Sequence, residues 1–267
     1  MSTTVSRRPW GYSKFWRALS VIVLRPLLTV LINNKHAGRS NVPKKGGIIL
    51  APNHLSYVDW GTDALFCYMA GRYPVFMIKG SMFRVKGIGS FLYKAGQLPV
   101  NRGATDAALV LKVAEEALAQ GAAVIIYPEA TATRDPDLWP MVSKTGVARL
   151  ALATGVPVIP VAHWGTQDIL PYGSKKVFSG LFLPPRKTVR TIAGPPVDLS
   201  AWQGKHTSAR ALREATAAIM GEVATLVGEL RGEVPPGEAF NPAKQAPDRQ
   251  ALPAEADVAP PQPGNTP

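Results

Sequence analysis

A single cysteine, Cys67, stands in 267 residues. No internal disulfide can form and no cysteine-rich metal site exists. A reducing compartment fits this usage, and the apolar run "ALFCYMA" around Cys67 assigns the thiol to the core. Acidic residues are missing from two long stretches. Residues 1–47 hold nine basic side chains (Arg7, Arg8, Lys14, Arg17, Arg25, Lys35, Arg39, Lys44, Lys45) and no acid, and residues 72–102 hold six (Arg72, Lys79, Arg84, Lys86, Lys94, Arg102), again with no acid. With a net charge of +12 and a pI of about 10.0, such a field suits an anionic partner: a phospholipid surface, a phosphorylated substrate or nucleic acid. A solvated basic face kept for solubility has the same composition. A long uncharged run is lacking too. Residues 15–32 are strongly apolar but carry Arg17, Arg25 and Pro26, and no charge-free run among them, residues 18–24 included, exceeds seven residues, against about 20 for a membrane span. No small-residue cleavage site follows, so a secretory signal is not expected.

Within residues 1–40, Trp10, Tyr12, Phe15 and Trp16 lie beside Arg7, Arg8, Lys14 and Arg17. Aromatic and basic residues together favour the lipid headgroup region. This predicts one or two helices lying in the interface, on the cytoplasmic face of the membrane. An ordinary amphipathic helix packed on the domain is the alternative.

The length and the 46% hydrophobic content allow one large core, placed in residues 41–232. Apolar runs rich in Val and Ile predict strands at 47–51, 75–79, 97–100, 122–127, 156–162 and 188–193. Helix-like stretches fall between them at about 58–70, 105–120 and 144–154, the second with Thr105 as N-cap and Gly121 as stop. Alternation of this kind predicts an α/β fold, with a mostly parallel central sheet flanked by helices. A last helix at 208–231 has apolar residues at helical spacing. Residues 233–267 then hold nine prolines, five acids and two bases, a composition that predicts a disordered tail.

In such sheets chemistry collects beyond the carboxyl ends of the strands. Three polar stretches fall there. "NHLSYVD" places His54 directly after the first run and Asp59 at the start of a helix. The carboxylate can fix the imidazole's tautomer while the other ring nitrogen takes a proton from a hydroxyl. The same heptapeptide also fits a strand-to-helix turn with Asp59 as a cap. "GQLPVNRG" delivers Arg102, whose fork of donors suits a phosphate or a surface salt bridge equally. "YPEATATRD" offers Glu129, Thr131 and Thr133, to pair with an arginine or to supply hydroxyls. A fourth stretch, "GVPVIPVA", puts two prolines in a strand, which suggests an edge or a bend. No G-x-S-x-G nucleophile motif is present.

Taken together, in this order, the four stretches resemble the motifs of the glycerolipid acyltransferase family, the PlsC-like 1-acylglycerol-3-phosphate acyltransferases, over roughly residues 41–194. Asn53, His54 and Asp59 match the family's N-H-x4-D motif, Gly96 and Arg102 its second, Pro128, Glu129 and Thr131 its P-E-G-T-R, and residues 156–161 its V-P-V-I-P-V. In the third motif Ala130 stands at the glycine position and Ala132 at the arginine position, with Arg134 two residues later. If the glycine position needs a positive φ, Ala130 costs something. The resemblance implies transfer of a fatty acyl group from coenzyme A or acyl carrier protein to lysophosphatidate, giving phosphatidate, with no metal or other cofactor. It implies His54 and Asp59 as the catalytic pair and Asn53, Arg102, Glu129 and Thr131 around the substrate, where Lys79 or Arg134 can add positive charge for the acceptor phosphate. The absence of a serine or cysteine nucleophile favours direct attack over an acyl-enzyme. Another lysophospholipid, glycerol 3-phosphate or a glycolipid as acceptor, or thioester hydrolysis by the same pair, is compatible with these residues. Nothing matches an RNA-binding signature or a recognition helix, so nucleic acid is not an expected partner.

Overall fold

The six apolar runs expected as strands form strands in the computed structural model, which describes residues 10–100, 104–170 and 186–244 and, for 104–109, the backbone alone. In chain order the elements are α1 (Lys14–Leu31), β1 (Asn33–Ala37), β2 (Ile48–Pro52), α2 (Asp59–Met69), β3 (Pro74–Lys79), α3 (Ile88–Lys94), β4 (Leu98–Val100), α4 (Ala104–Ala119), β5 (Ala123–Ile125), α5 (Gly146–Thr154), β6 (Val158–Trp164), β7 (Thr188–Ala193) and α6 (Ala209–Arg231). The strands make one seven-stranded sheet in the order β1-β7-β6-β2-β5-β3-β4. Strands β2 to β6 run parallel. Strand β7 pairs antiparallel with β6, and β1 pairs parallel with β7, so the two strands at that edge run against the rest.

Strand β2 is buried along its whole length because both faces of the sheet are covered. Ile49 and Ala51 pack on one side with Leu118 of α4, Leu150 of α5 and Leu212 and Ile219 of α6. Ile48 and Leu50 pack on the other with Ala64, Phe66 and Cys67 of α2. A period of two thus divides one strand between two cores, and each large side chain contributes about 1.5–3 kcal/mol by leaving water. Burial pushes the Cys67 thiol up to about 12, as suits an inert core residue.

The N-terminal segment is not a separate unit. Trp10 is buried and its indole N–H donates to the Gly96 carbonyl at 2.9 Å. Leu28 and Ile32 pack with Leu65 and Val189. Leu28 approaches α2 at Gly61, where an added Cβ would lie 3.0 Å from its Cδ2. Strand β1 was not expected: "NNKHA" is polar, and its burial alternates between exposed and half-buried, as an edge strand's does. The boundary expected at residue 40 falls in the 3-10 turn Arg39–Asn41, between two strands of the sheet. Helix α1 also exposes Phe15, Ile22, Val23, Leu27 and Val30. Among the described residues no helix is long and apolar enough to cross a membrane.

Two of the basic residues are structural. The Arg72 guanidinium donates to the carbonyls of Pro43, Gly46 and Gly121. Arg17 lies over the rings of Tyr12 and Tyr73. Helix α4 begins at Ala104, so Thr105 falls inside its first turn rather than capping it. Helix α3 and the 3-10 turn before it, Gly80–Arg84, were not expected. At the other end the packed chain passes the expected boundary at Glu233: the Val142 N–H donates to the Phe240 carbonyl at 2.9 Å. Residues 245–267, expected to be disordered, lie outside the described residues.

Candidate active site

Five parallel strands bring their carboxyl ends to one edge, and the polar stretches leave from there. His54 follows β2, and the chain turns so that Asp59 opens α2. His54 Nδ1 lies 2.7 Å from Asp59 Oδ2. The same oxygen accepts the backbone N–H groups of Leu55 at 2.6 Å and Ser56 at 2.9 Å, so the turn is built around this carboxylate. Asp59 is fully buried, whereas the His54 side chain keeps 16% of its surface exposed. Burial alone would raise the Asp59 carboxyl, but the His163 and His54 imidazoles hold it well below the usual carboxylate range. An ionised carboxylate only accepts, so His54 Nδ1 carries the proton and Nε2 carries the lone pair. That is the tautomer of a general base.

Asn53 and Glu129 make backbone contacts around the pair that the sequence reading did not foresee. Asn53 Nδ2 donates to the His163 carbonyl at 3.1 Å, and its Oδ1 accepts the His163 N–H at 2.9 Å. The amide thus joins the end of β2 to the end of β6. Glu129 is buried. Its Oε1 accepts the backbone N–H of His54 at 2.9 Å and its Oε2 that of Met141 at 3.0 Å. With each oxygen accepting a backbone N–H, Glu129 ties the loop after β2 to the loop after β5. The Thr133 hydroxyl is likewise occupied, donating to the Trp139 carbonyl at 2.7 Å, while the Thr133 N–H donates to the His54 carbonyl at 2.7 Å. Thr131 is half-buried and Arg134 exposed. Lys79 is exposed at the carboxyl end of β3, in register with Val100. Arg102, two residues past that register position, lies outside the described residues.

The third-motif substitutions have a structural reading. Ala130 adopts φ 61°, the left-handed region in which an L-residue is strained by about 1–2 kcal/mol. Ala132 is fully buried, so an arginine side chain there would have to leave through packed surroundings. Ala130→Gly is expected to stabilise the fold by about 0.5–1 kcal/mol, the relieved strain less the greater backbone entropy of glycine. A urea denaturation midpoint above that of the native chain is the result to look for, and an unchanged or lower midpoint contradicts it.

Three residues of the site escaped the sequence reading. Tyr127 stacks on the His54 imidazole with ring centroids 4.3 Å apart, and its hydroxyl donates to Asp63 Oδ2 at 2.6 Å. Burial, then the Asp63 and Asp59 carboxylates, push that phenol well above its ordinary value. His163, at the end of β6, is fully buried, with Nε2 3.2 Å from Asp59 Oδ1 and Nδ1 3.2 Å from Asp63 Oδ1. Two signals were available: Asp63 follows Asp59 by four residues, one helical turn, and His163 prolongs an apolar strand with a polar side chain.

The chain is similar to known proteins in sequence and in fold. Residues 33–164 match the family model described as Acyltransferase. A 1-acyl-sn-glycerol-3-phosphate acyltransferase of Borreliella burgdorferi is 30% identical over 132 residues, covering 49% of this chain and 51% of that protein. The chloroplastic 1-acyl-sn-glycerol-3-phosphate acyltransferase BAT2 of Brassica napus is 29% identical over 169 residues, covering 62% of this chain and 45% of that protein. The chain thus spans about half the length of these curated relatives. The crystal structure of the 1-acyl-sn-glycerophosphate acyltransferase PlsC from Thermotoga maritima shares the fold, with a TM-score of 0.60 at 23% identity, covering 81% of this chain and 80% of that one. The stretch that matches the acyltransferase family model runs from β1 to the end of β6 and holds every element that carries the His54–Asp59 pair.

Proposed function

We propose that the protein transfers a fatty acyl group from a coenzyme A or acyl carrier protein thioester to the free hydroxyl of 1-acylglycerol 3-phosphate, giving phosphatidate. The observation that carries this reading is the 2.7 Å contact between His54 Nδ1 and buried Asp59. The names of the relatives supply the acceptor. His54 Nε2 takes the hydroxyl proton as the acceptor oxygen attacks the thioester carbonyl. The tetrahedral intermediate collapses, the C–S bond breaks, and the leaving sulfur takes the proton back from the imidazolium. Asp59 stabilises that imidazolium throughout. Lys79, Arg102 and Arg134 supply positive charge for the acceptor phosphate. The exposed apolar residues of α1, with Lys14 and Arg25 also exposed on that helix, support docking on an anionic membrane surface, at the cytoplasmic face.

The test is an acceptor panel with labelled acyl-CoA, the lysolipids presented in anionic vesicles and also as soluble short-chain analogues. Labelled phosphatidate from 1-acylglycerol 3-phosphate, with little coenzyme A release when acceptor is omitted, is the expected result. Equal release with and without acceptor overturns transfer in favour of thioester hydrolysis, and a preference for another lysolipid overturns the acceptor. Added salt should slow turnover of the vesicle-borne acceptor more than that of the soluble one, and equal slowing overturns membrane docking. Arg102→Ala and Arg134→Ala should each raise the KM for 1-acylglycerol 3-phosphate by about ten-fold, the loss of one charge-assisted hydrogen bond. A silent Arg134→Ala removes Arg134 from the phosphate site.

A further inference from the structure

His163 has no part in the proposed proton transfer, yet it is as fully buried as Asp59. Its two ring nitrogens face carboxylate oxygens on successive turns of α2, Asp59 Oδ1 and Asp63 Oδ1, each at 3.2 Å. A neutral imidazole has one N–H and one lone pair. In that form one lone pair would face a carboxylate oxygen at 3.2 Å, buried from water. The arrangement is that of an imidazolium between two carboxylates. The contact with Asp59 Oδ1 lies at ion-pair distance, but neither atom makes an aligned hydrogen bond, so it acts through charge more than direction. Direction comes from the backbone, since Asn53 clamps both the N–H and the C=O of His163.

Resting on the reading of His54 as the base, we propose that His163 is a positioning residue for acyl transfer: its fixed buried positive charge keeps Asp59 ionised, with Oδ2 turned to His54 Nδ1. Burial by itself disfavours the imidazolium, and the two carboxylates overcome it, raising His163 well above its ordinary value. The neighbouring groups come from several elements. Asp59 and Asp63 lie on α2, and His54 follows β2. Tyr127, after β5, reaches the cluster through Asp63. Glu129 joins it through the His54 N–H. His36 of β1, within the influence of Asp63, is pushed down to about 4 chiefly by burial and stays neutral. Asp59, Asp63 and His163 together carry a net charge of −1. Without His163 the two carboxylates would stand one helical turn apart, buried and without their shared counter-charge, and a proton would be drawn to one of them.

The experiment is the pH profile of kcat for 1-acylglycerol 3-phosphate and acyl-CoA, measured on the full chain. Its acid limb reads the pH at which neutral His54 and ionised Asp59 are present together. In His163→Gln both groups lose a nearby positive charge, so both release their protons at higher pH. The limb is expected to move alkaline by about one unit or more, the lower end of a nearby charge's effect, with the acceptor KM little changed. Asp63→Asn removes a negative charge and should move the limb the other way. The double variant should return it toward the native position, because the two lost charges cancel. A folded His163→Gln protein with the native limb overturns the proposal. If that variant does not fold, Asp63→Asn decides, and an unmoved or alkaline-shifted limb overturns it. A folded His54→Ala protein with native turnover would instead sink the base reading itself. An inactive His54→Ala beside an unmoved His163→Gln limb removes only the role of His163.

Discussion

His54→Ala is expected to lower acyl transfer by about 10²-fold or more, the contribution of a positioned general base, in a protein that remains folded. The backbone argues for the fold. The N–H of His54 is held by Glu129 and its C=O by the Thr133 N–H, and neither contact uses the imidazole. What the truncation removes is the stack on Tyr127 and the bond to Asp59. Turnover and a thermal melt on the same preparation separate the two effects: near-native turnover in a folded variant contradicts the mechanism. Asp59→Asn should differ in kind. Its amide can still accept from backbone N–H groups, but the charge that fixes the His54 tautomer and balances His163 is gone. The buried His163 cation then keeps only one of its two carboxylates, Asp63 at 3.2 Å, so this variant should lose both turnover and stability. A loss of rate without any loss of stability would mean that Asp63 alone suffices to hold the His163 charge.

The difference between those two variants marks how far the sequence could be read. The strands of the parallel core were readable because each is an apolar run of the length a buried strand needs, bounded by turn residues, and α6 was readable from helical spacing. The His54–Asp59 pair was readable because both residues lie in one heptapeptide, and a turn of that length brings its ends together. His163 was not readable in the same way. It stands 110 positions from Asn53, and only the sheet order, which puts β6 beside β2, brings them into contact. Strand β1 was missed for a related reason. Its residues are polar and its identity as a strand rests on pairing with β7, far along the chain. Glu129 was singled out, but its two backbone contacts were not foreseen. A Pro-Glu pair after a strand reads as an exposed charge awaiting a partner, and nothing local reveals that two backbone amides, one from His54 itself, bond to its oxygens.

That assignment makes Glu129 the residue whose loss should most affect stability and rate together. Glu129→Ala removes the acceptor of two buried N–H groups, those of His54 and Met141, at about 1–3 kcal/mol each. It also frees the segment that carries the base, so turnover should fall by about ten-fold or more, as expected when a reacting group is misplaced. Glu129→Gln is the more informative variant because it separates hydrogen bonding from charge. Burial pushes the Glu129 carboxyl from 4.5 up to about 8, with the Met141 and His54 amides pulling only partly back. A group with a raised folded-state value binds its proton more tightly in the folded chain. Its contribution to stability is therefore complete below about 4.5 and is lost as pH rises through about 8. Glutamine does not titrate, but its amide nitrogen meets one of the two N–H donors without accepting from it. At pH 5 the variant should be less stable than the native chain by about 1–3 kcal/mol. By pH 9 the native chain has had to ionise a buried carboxyl, and the gap should close or reverse. Urea midpoints of the two proteins, compared from pH 5 to pH 9, read this directly. A gap that stays constant across the range would mean that Glu129 is already ionised at pH 5, held as a carboxylate by the two amide donors it anchors.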